Sequence, residues 1–186
     1  EIGFHVFDSE LNPLWDDVVR MPYTEKKMNN LNYSIDNNGT AYILASVYDD
    51  NSTDAKKRGS DEPNYHLELL AKPINEKLNT SKIELESQFI QGGWLYETPT
   101  KEMVYAGFYN TTDDQTAEGI FVNKFDQTGS LTDQLDHSIP LEILNQYASK
   151  RAKKQNIKDD ADDEAGFKNL RISDMKFLED GSVVII

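Results

Sequence analysis

The chain has 186 residues and no cysteine, and its 33 acidic residues against 19 basic ones give a net charge of −14. This length is enough for one domain with a substantial core, whereas the absence of cysteine excludes a disulfide framework and a cysteine-ligated zinc site. The acidic composition disfavours nucleic acid and anionic lipid as partners, and no apolar run approaches the roughly 20 residues of a membrane-spanning helix.

The first predicted elements are two strands near the N-terminus, at residues 4–8 and 18–22. Both carry the aromatic and β-branched residues that are typical of strands. We interpret them as the second half of a repeated unit that covers residues 4–23.

The first complete unit is predicted over residues 31–88. It contains four strands, which we label A to D in chain order. A turn from Asp36 to Gly39 joins A to B, and its asparagine and glycine residues tolerate positive φ. The predicted strands are A at 32–35, B at 41–48, C at 65–71 and D at 82–86.

A second complete unit is predicted over residues 92–142. Pro22 and Pro140 fall in the predicted D strands of their units. Because proline cannot donate to a sheet ladder, we expect the D strands to be sheet edges. The strands of the second unit are A at 94–96, B at 103–109, C at 119–126 and D at 138–141.

An insert over residues 142–166 interrupts the strands. Residues 142–156 follow a helical period and favour helix, and an acidic stretch at 159–164 follows them. The last segment, residues 170–186, contains two predicted strands that correspond to A and B of a further unit, at 174–178 and 182–186.

Two internal matches support a repeat. Residues 42–48 align with residues 103–109 at an offset of 61, and residues 173–186 align with residues 31–44 at an offset of 142. Strand units with a period of about 40 to 60 residues are typical of β-propeller blades. We therefore expect an all-β fold of repeated four-stranded antiparallel units that stack radially, with one helical insertion; a β-sandwich is the alternative.

The ends of the chain fall within units, which suggests an incomplete ring. Three blades would not close a propeller, because propellers have about four to eight. We expect the remainder of the ring to come from the same, longer chain or from a second copy.

The B and C strands of the two complete units, together with the Asp180-Gly181 turn, resemble repeats of β-propeller proteins. These strands are residues 42–48 with 65–71 and residues 103–109 with 119–126. The similarity is to uncharacterised secreted or periplasmic bacterial propellers in particular. It implies an extracytoplasmic location, either periplasmic or secreted. It carries over no functional residues, since the motifs of the named propeller families are absent.

Three aromatic residues of the A strands, Tyr33, Trp94 and Tyr96, are the predicted ligand-binding residues. Trp94 follows Gly92-Gly93 at the start of an A strand, where a propeller has its central channel. An aromatic ring there can stack on a sugar or a peptide, or it can pack between blades.

In propellers the B–C and D–A connections share the face on which ligands usually bind. The acidity of this chain is not concentrated there, because these connections carry only −3 of the net −14. We interpret the charge as favouring solubility. The connections are residues 24–30, 49–64, 87–93, 110–118 and 143–169, with net charges of +1, −2, 0, −3 and +1.

We predict no catalytic residue, no cofactor and no metal site. We interpret His5, His66 and His137 as half-exposed structural residues, because none has a partner that the sequence places beside it. The acidic clusters at 49–54, 113–114 and 159–164 offer oxygen ligands for calcium, but none fits the twelve-residue EF-hand loop.

The leading functional hypothesis is a non-catalytic binding scaffold that presents loops to a protein, peptide or glycan partner. The alternative is an extracytoplasmic hydrolase or lyase that acts on carbohydrate through paired carboxylates. A third hypothesis is a structural segment of a larger envelope or adhesion protein. No nucleic-acid partner and no membrane insertion are expected.

Overall fold

The computed structural model describes residues 1–84, 88–112, 116–146, 149–160, 166–168, 170–178, 180 and 182–186. Over these residues the protein is all-β, with repeated antiparallel sheets and two short helices, as the sequence predicts. The strands are β1 (Ile2–Phe7), β2 (Pro13–Val19), β3 (Met28–Ile35), β4 (Ala41–Tyr48), β5 (Tyr65–Lys72), β6 (Asn79–Ile83), β7 (Phe89–Glu97), β8 (Met103–Asn110), β9 (Thr116–Ala117), β10 (Gly119–Phe125), β11 (Leu131–Ser138), β12 (Phe167–Lys168), β13 (Met175–Phe177) and β14 (Val183–Ile185), and the helices are α1 (Leu141–Asn145) and α2 (Lys150–Asp160).

Two four-stranded sheets form the centre of the molecule. Sheet I has the order β3-β4-β5-β6 and sheet II the order β7-β8-β10-β11, so each runs A, B, C, D as predicted. The N-hairpin is β1–β2 and the C-hairpin is β13–β14, and each is a two-stranded sheet. All pairings are antiparallel.

The B and C strands are confirmed almost to the residue, whereas the D strands begin several residues earlier than predicted. In sheet II, Gly129 N donates to Asp126 O in a tight turn, so strand β11 already begins at Leu131. We missed β11 because it is an exposed outer strand without an apolar alternation. In sheet I the D strand β6 lies earlier than predicted, and residues 85–86 of the prediction fall outside the described residues.

The two prolines expected in D strands lie just outside them. Pro22 follows the end of β2, and Pro140 immediately precedes helix α1 with φ −59°. Both prolines therefore lie outside the strand ladders, where the missing N–H removes no ladder hydrogen bond.

The alignment at an offset of 61 is out of register by one residue. The A–B turn of sheet I is closed by Asp36 N donating to Thr40 O, and that of sheet II by Thr98 N donating to Glu102 O. The two units are therefore related by an offset of 62. A one-residue slip assigns every side chain to the opposite face of its strand, so the correction matters for packing.

The offset of 142 is in register. In the C-hairpin, Leu178 N donates to Ser182 O, which is the equivalent of the Asp36 and Thr40 pair. With offsets of 62 and 142, equivalent side chains point in the same direction in sheet I, sheet II and the C-hairpin.

The sheets stack face to face in the order N-hairpin, sheet I, sheet II, C-hairpin. Three clusters of buried side chains separate these four layers. The largest lies between sheets I and II and includes Leu44, Leu69, Tyr105 and Phe125. The second lies between the N-hairpin and sheet I, and the third between sheet II and the C-hairpin.

The insert contains two helices, α1 and α2, where we predicted one, and it is followed by a short strand that pairs with β9. Leu144 of α1 is buried, and Asn156 Nδ2 of α2 donates to Asn145 Oδ1 of α1 at 3.0 Å. After the helices, β12 pairs with the short strand β9. In the described part of the chain, neither helix is long and apolar enough to cross a membrane.

Candidate functional site

A cleft of about 290 Å³ opens between sheets I and II at the end of the molecule formed by the B–C and D–A connections. Its walls come from β3, β4, β5, β7 and β8 and from the connection between β4 and β5. The lining residues are Leu31, Ser46, Tyr48, Ala55, Tyr65, Ile90, Gln91, Gly92, Gly93 and Tyr105.

Glycines shape the wall that sheet II contributes. Strand β7 has a bulge between Ile90 and Gly92, and Gly92 adopts a φ of +148°, which favours glycine. A Cβ on Gly107 of the neighbouring strand would lie 2.0 Å from Gly92 O. A Cβ on Gly93 would lie 2.6 Å from the ring of Tyr105, so this ring rests directly on the backbone of β7.

Tyrosines provide most of the remaining wall. The rings of Tyr48 and Tyr65 meet edge to face with centroids 6.3 Å apart, and Tyr105 packs on Phe121 at 4.9 Å. The hydroxyl of Tyr65 accepts a hydrogen bond from Ile90 N at 3.1 Å, which ties sheet I to sheet II across the cleft. Burial, followed by the neighbouring Tyr65, raises the pKa of Tyr105, so its phenol stays neutral.

This arrangement suits binding rather than covalent chemistry. Tyrosine rings offer apolar faces to flat or aliphatic groups, and a cleft lined by them with a few polar groups is typical of a ligand site. Ser46 and Gln91 supply the polar side chains of this lining. The lining includes no aspartate, glutamate or histidine.

The structure does not bring the three predicted ligand-binding residues together. Tyr33 pairs with Ile43 and so lies on the face of sheet I toward the N-hairpin. Trp94 and Tyr96 lie on the opposite side, on the face of sheet II toward the C-hairpin. All three are exposed, and none lines the cleft between the sheets.

Tyr96 belongs to a second, wider cleft. Its ring stacks on Phe177 of the C-hairpin with centroids 5.4 Å apart and an interplanar angle of 10°. This cleft lies at the opposite end of the sheets, beside the A–B turns, and is lined in part by Asn37 and Pro99. Tyr96 therefore packs against the C-hairpin and remains half exposed.

A polar network lies on the other side of sheet I, facing the N-hairpin. His66 contacts two carboxylates, with Nδ1 3.0 Å from Asp49 Oδ1 and Nε2 3.2 Å from Glu68 Oε1. Tyr23 also donates to Glu68 Oε1, at 2.5 Å. A neutral imidazole has one N–H, so His66 donates to both carboxylates only when both ring nitrogens are protonated.

Glu68 is the centre of this network. The residue is 6 % exposed, and its Oε2 atom is buried without a hydrogen-bond partner among the described residues. Hydrogen bonding to this carboxylate, followed by burial, raises the pKa of Tyr23 to about 12. The network connects the segment before β3 to the connection after β4, so it holds these two segments together at one end of sheet I.

Sequence reasoning missed this network because its members are far apart in the chain. The alternation in β5 places His66 and Glu68 on one face, and this part was visible in the sequence. Asp49 and Tyr23 reach them only through the fold. With its side chain 16 % exposed, His66 is more buried than the half-exposed position we expected.

In the acidic cluster at residues 49–54, which was considered for calcium, Asp50 forms hydrogen bonds within its own connection. Asp50 Oδ1 accepts from Ser52 N at 2.7 Å and from Asn64 Nδ2 at 2.8 Å. The hydrogen bond from Asn64, followed by that from Ser52, lowers the pKa of Asp50. Residues 113–114 and 161–164 lie outside the described residues, and among the described residues no group of three or more His, Asp or Glu side chains is placed to hold a metal ion.

In comparisons with known proteins, the chain matches no protein-family model, no curated protein and no solved structure. What can be said of its function therefore depends on its own residues.

Proposed function

We propose that the protein is a non-catalytic binding scaffold that takes a protein, peptide or glycan partner in the cleft between sheets I and II. The observation that carries this proposal is the tyrosine-lined cleft of about 290 Å³ at the end formed by the B–C and D–A connections. It is also the end at which we expect a propeller-like stack of sheets to bind a ligand.

Two features of the cleft support binding of a flat or apolar group. The faces of Tyr48 and Tyr65 are only half-buried, so a ligand can reach them, while the ring of Tyr105 closes the bottom of the cleft at 2 % exposure. The hydrogen bond between Tyr65 and Ile90 holds the two walls at a fixed separation. A preformed cleft costs a ligand less ordering free energy than one that must assemble on binding.

The carbohydrate-hydrolase alternative needs two carboxylates about 5 to 10 Å apart beside the substrate. The cleft lining contains no carboxylate, and the carboxylates of Asp49 and Glu68, which His66 bridges, lie on the other side of sheet I. Binding without catalysis therefore accounts better for this cleft. The extracytoplasmic location proposed with this function is supported by the resemblance to secreted and periplasmic repeats.

The test is a search for ligands followed by a substitution that fills the cleft. Wild-type protein is screened on peptide and glycan arrays, and hits are measured by isothermal titration calorimetry. We expect Ala55→Trp to weaken binding at least about 10-fold, or about 1.4 kcal/mol, because the indole occupies the space between the tyrosines.

The matched control places the same side chain elsewhere in the same connection. Thr53 is exposed and does not line the cleft, so Thr53→Trp should leave affinity unchanged. Equal affinities for wild type and the Ala55→Trp variant would place the ligand elsewhere and contradict the proposal.

A further inference from the structure

The two hairpins at the ends of the stack each have a strand edge without a partner. Among the described residues, β1 pairs only with β2, and β14 pairs only with β13. Leu178 N donates to Ser182 O and Ile186 N donates to Asp174 O, so Ser182 and Ile186 direct main-chain groups toward β13. Main-chain groups alternate in direction along a strand, so those of Val183 and Ile185 point to the open edge of β14.

The C-hairpin is equivalent to strands A and B of a complete sheet, as its A–B turn shows. The N-hairpin is equivalent to strands C and D. Its turn is closed by Asp8 N donating to Asn12 O, as Asp126 N donates to Ser130 O in sheet II. A bulge directly precedes both turns, between Val6 and Phe7 and at the matching position of β10. The two hairpins are therefore complementary halves of one sheet.

We propose that two copies of this chain associate through these edges, with β14 of one copy pairing antiparallel with β1 of the other. Both such pairings form at once, because each copy carries one edge of each kind. The two copies then supply four complete sheets and two composite ones, a ring of six. Six lies within the range of about four to eight blades that closes a propeller.

The proposal fixes a register. Strand β14 is equivalent to β8 and strand β1 to β10, and in sheet II Met103 lies opposite Phe125. Transferred to the composite sheet, this places Val183 opposite Phe7 and Val184 opposite Val6. In this register the side chains of each pair point to the same face, as the pleat requires.

The exposed apolar side chains at the two ends support the same arrangement. The apolar side chains on the hairpins point away from sheets I and II. The N-hairpin covers only part of the outer face of sheet I, and the C-hairpin covers only part of the outer face of sheet II; the exposed apolar side chains of the sheets lie on the uncovered parts. A composite sheet would cover both sets at once. They are Phe7 at 49 % exposure, Val18 at 66 %, Val184 at 42 % and Ile186 at 54 % on the hairpins, and Tyr33 at 64 %, Ile35 at 47 % and Leu135 at 51 % on the sheets.

One copy cannot make this pairing with itself. The N-hairpin and the C-hairpin are separated by sheets I and II, which amounts to three layer spacings of about 10 Å each. The edges of β1 and β14 can therefore meet only between different copies. Pairing would also remove two open strand edges, which are otherwise liable to uncontrolled association.

The first test is the mass of the 186-residue chain in solution by size-exclusion chromatography with light scattering. We expect about twice the 21.2 kDa of one chain. Val184→Glu is expected to weaken the dimer at least about 100-fold, because its charge is solvated in one copy and buried between layers in the dimer. Ile157→Glu is the control, since Ile157 is 57 % exposed on α2, away from the hairpins, and this variant should remain dimeric.

The second test is a crosslink, for which a chain without cysteine is well suited. Val6 and Val184 form a pair without main-chain hydrogen bonds, whose Cα atoms lie about 4.5 Å apart, within the range of a disulfide. A V6C, V184C variant should form a covalent dimer on oxidation, whereas V6C, I186C, out of register by two residues, should not. A monomeric wild type, a dimer that tolerates Val184→Glu, or open-ended assemblies in place of a dimer would each overturn the proposal.

Discussion

The interface between sheets I and II buries more apolar side chains than the interface between sheet II and the C-hairpin. Among the described residues, twelve buried ones form the cluster between the sheets and three form the cluster between sheet II and the C-hairpin, where the other apolar residues are only partly buried. A four-stranded sheet covers a whole face of its neighbour, and a hairpin covers half of one. The centre of the molecule should therefore carry most of the stability, and the ends should be available for association.

The largest expected effect is the loss of an aromatic side chain at the centre. Phe125 is 0 % exposed between the sheets, and Phe125→Ala should lower the free energy of unfolding by about 3–5 kcal/mol. Phe177 is only partly buried at the C-hairpin, and Phe177→Ala should cost about 1–2 kcal/mol. Urea denaturation followed by circular dichroism measures both, and equal costs would contradict the comparison.

A close backbone approach gives the second prediction. Gly107→Ala places a Cβ 2.0 Å from Gly92 O, so β7 and β8 must separate at the wall of the cleft. We expect a loss of about 1–3 kcal/mol in the free energy of unfolding.

Gly3→Ala, in the N-hairpin, is the control for this change. The nearest atom to the new Cβ would be His5 Nε2 at 3.5 Å, an ordinary contact. This variant should be unchanged or more stable by about 0.4–1 kcal/mol, because alanine restricts the unfolded chain. A similar loss in both variants would show that the approach at Gly107 is not tight.

The polar network at sheet I is expected to contribute less than the central apolar cluster. Glu68→Gln keeps the shape of the side chain but removes the charge that His66 and Tyr23 contact, and should cost about 1–3 kcal/mol. The control is Glu84→Gln, which removes an exposed ion pair with Lys82. This variant should lose less than about 1 kcal/mol in the free energy of unfolding. Thermal unfolding distinguishes these outcomes, and equal shifts in Tm would show that the burial of Glu68 is not important.

The smallest effect is a dependence of stability on high pH. The pKa of Tyr23 is raised to about 12 in the folded protein, against an ordinary value of 10.0. The stabilisation from this neutral phenol is therefore complete below pH 10 and is lost as the pH rises through about 12. The difference in free energy of unfolding between wild type and the Tyr23→Phe variant should shrink between pH 9 and pH 12, and a constant difference would contradict this assignment.

Much of the fold could be predicted because local patterns specify strands and turns. Strand β4 begins and ends at the predicted residues, and Gly39, in a turn that requires positive φ, marks its start. Strand β11 could not be predicted in this way, since an outer strand that is exposed on both faces needs no apolar alternation. The one-residue slip at an offset of 61 arose because residue similarity does not show which hydrogen bond closes a turn.

The candidate site was less predictable than the fold. The sequence favoured Trp94, Tyr96 and Tyr33, none of which lines the cleft, although the cleft lies at the end of the sheets where we expected a binding face. The lining tyrosines meet only because sheets I and II pack face to face. The partners of His66 likewise come from segments that are separated in the chain.

The sequence by itself determined the all-β class, the four-stranded unit and the order of strands within it, because strand periodicity and turn chemistry act between residues that are close along the chain. Only the tertiary structure decided which face of each strand is buried, which tyrosines form the cleft and which edges and apolar side chains the hairpins leave open. Those properties depend on how separate sheets stack, and stacking is set by burial of apolar surface between residues that are distant in the chain.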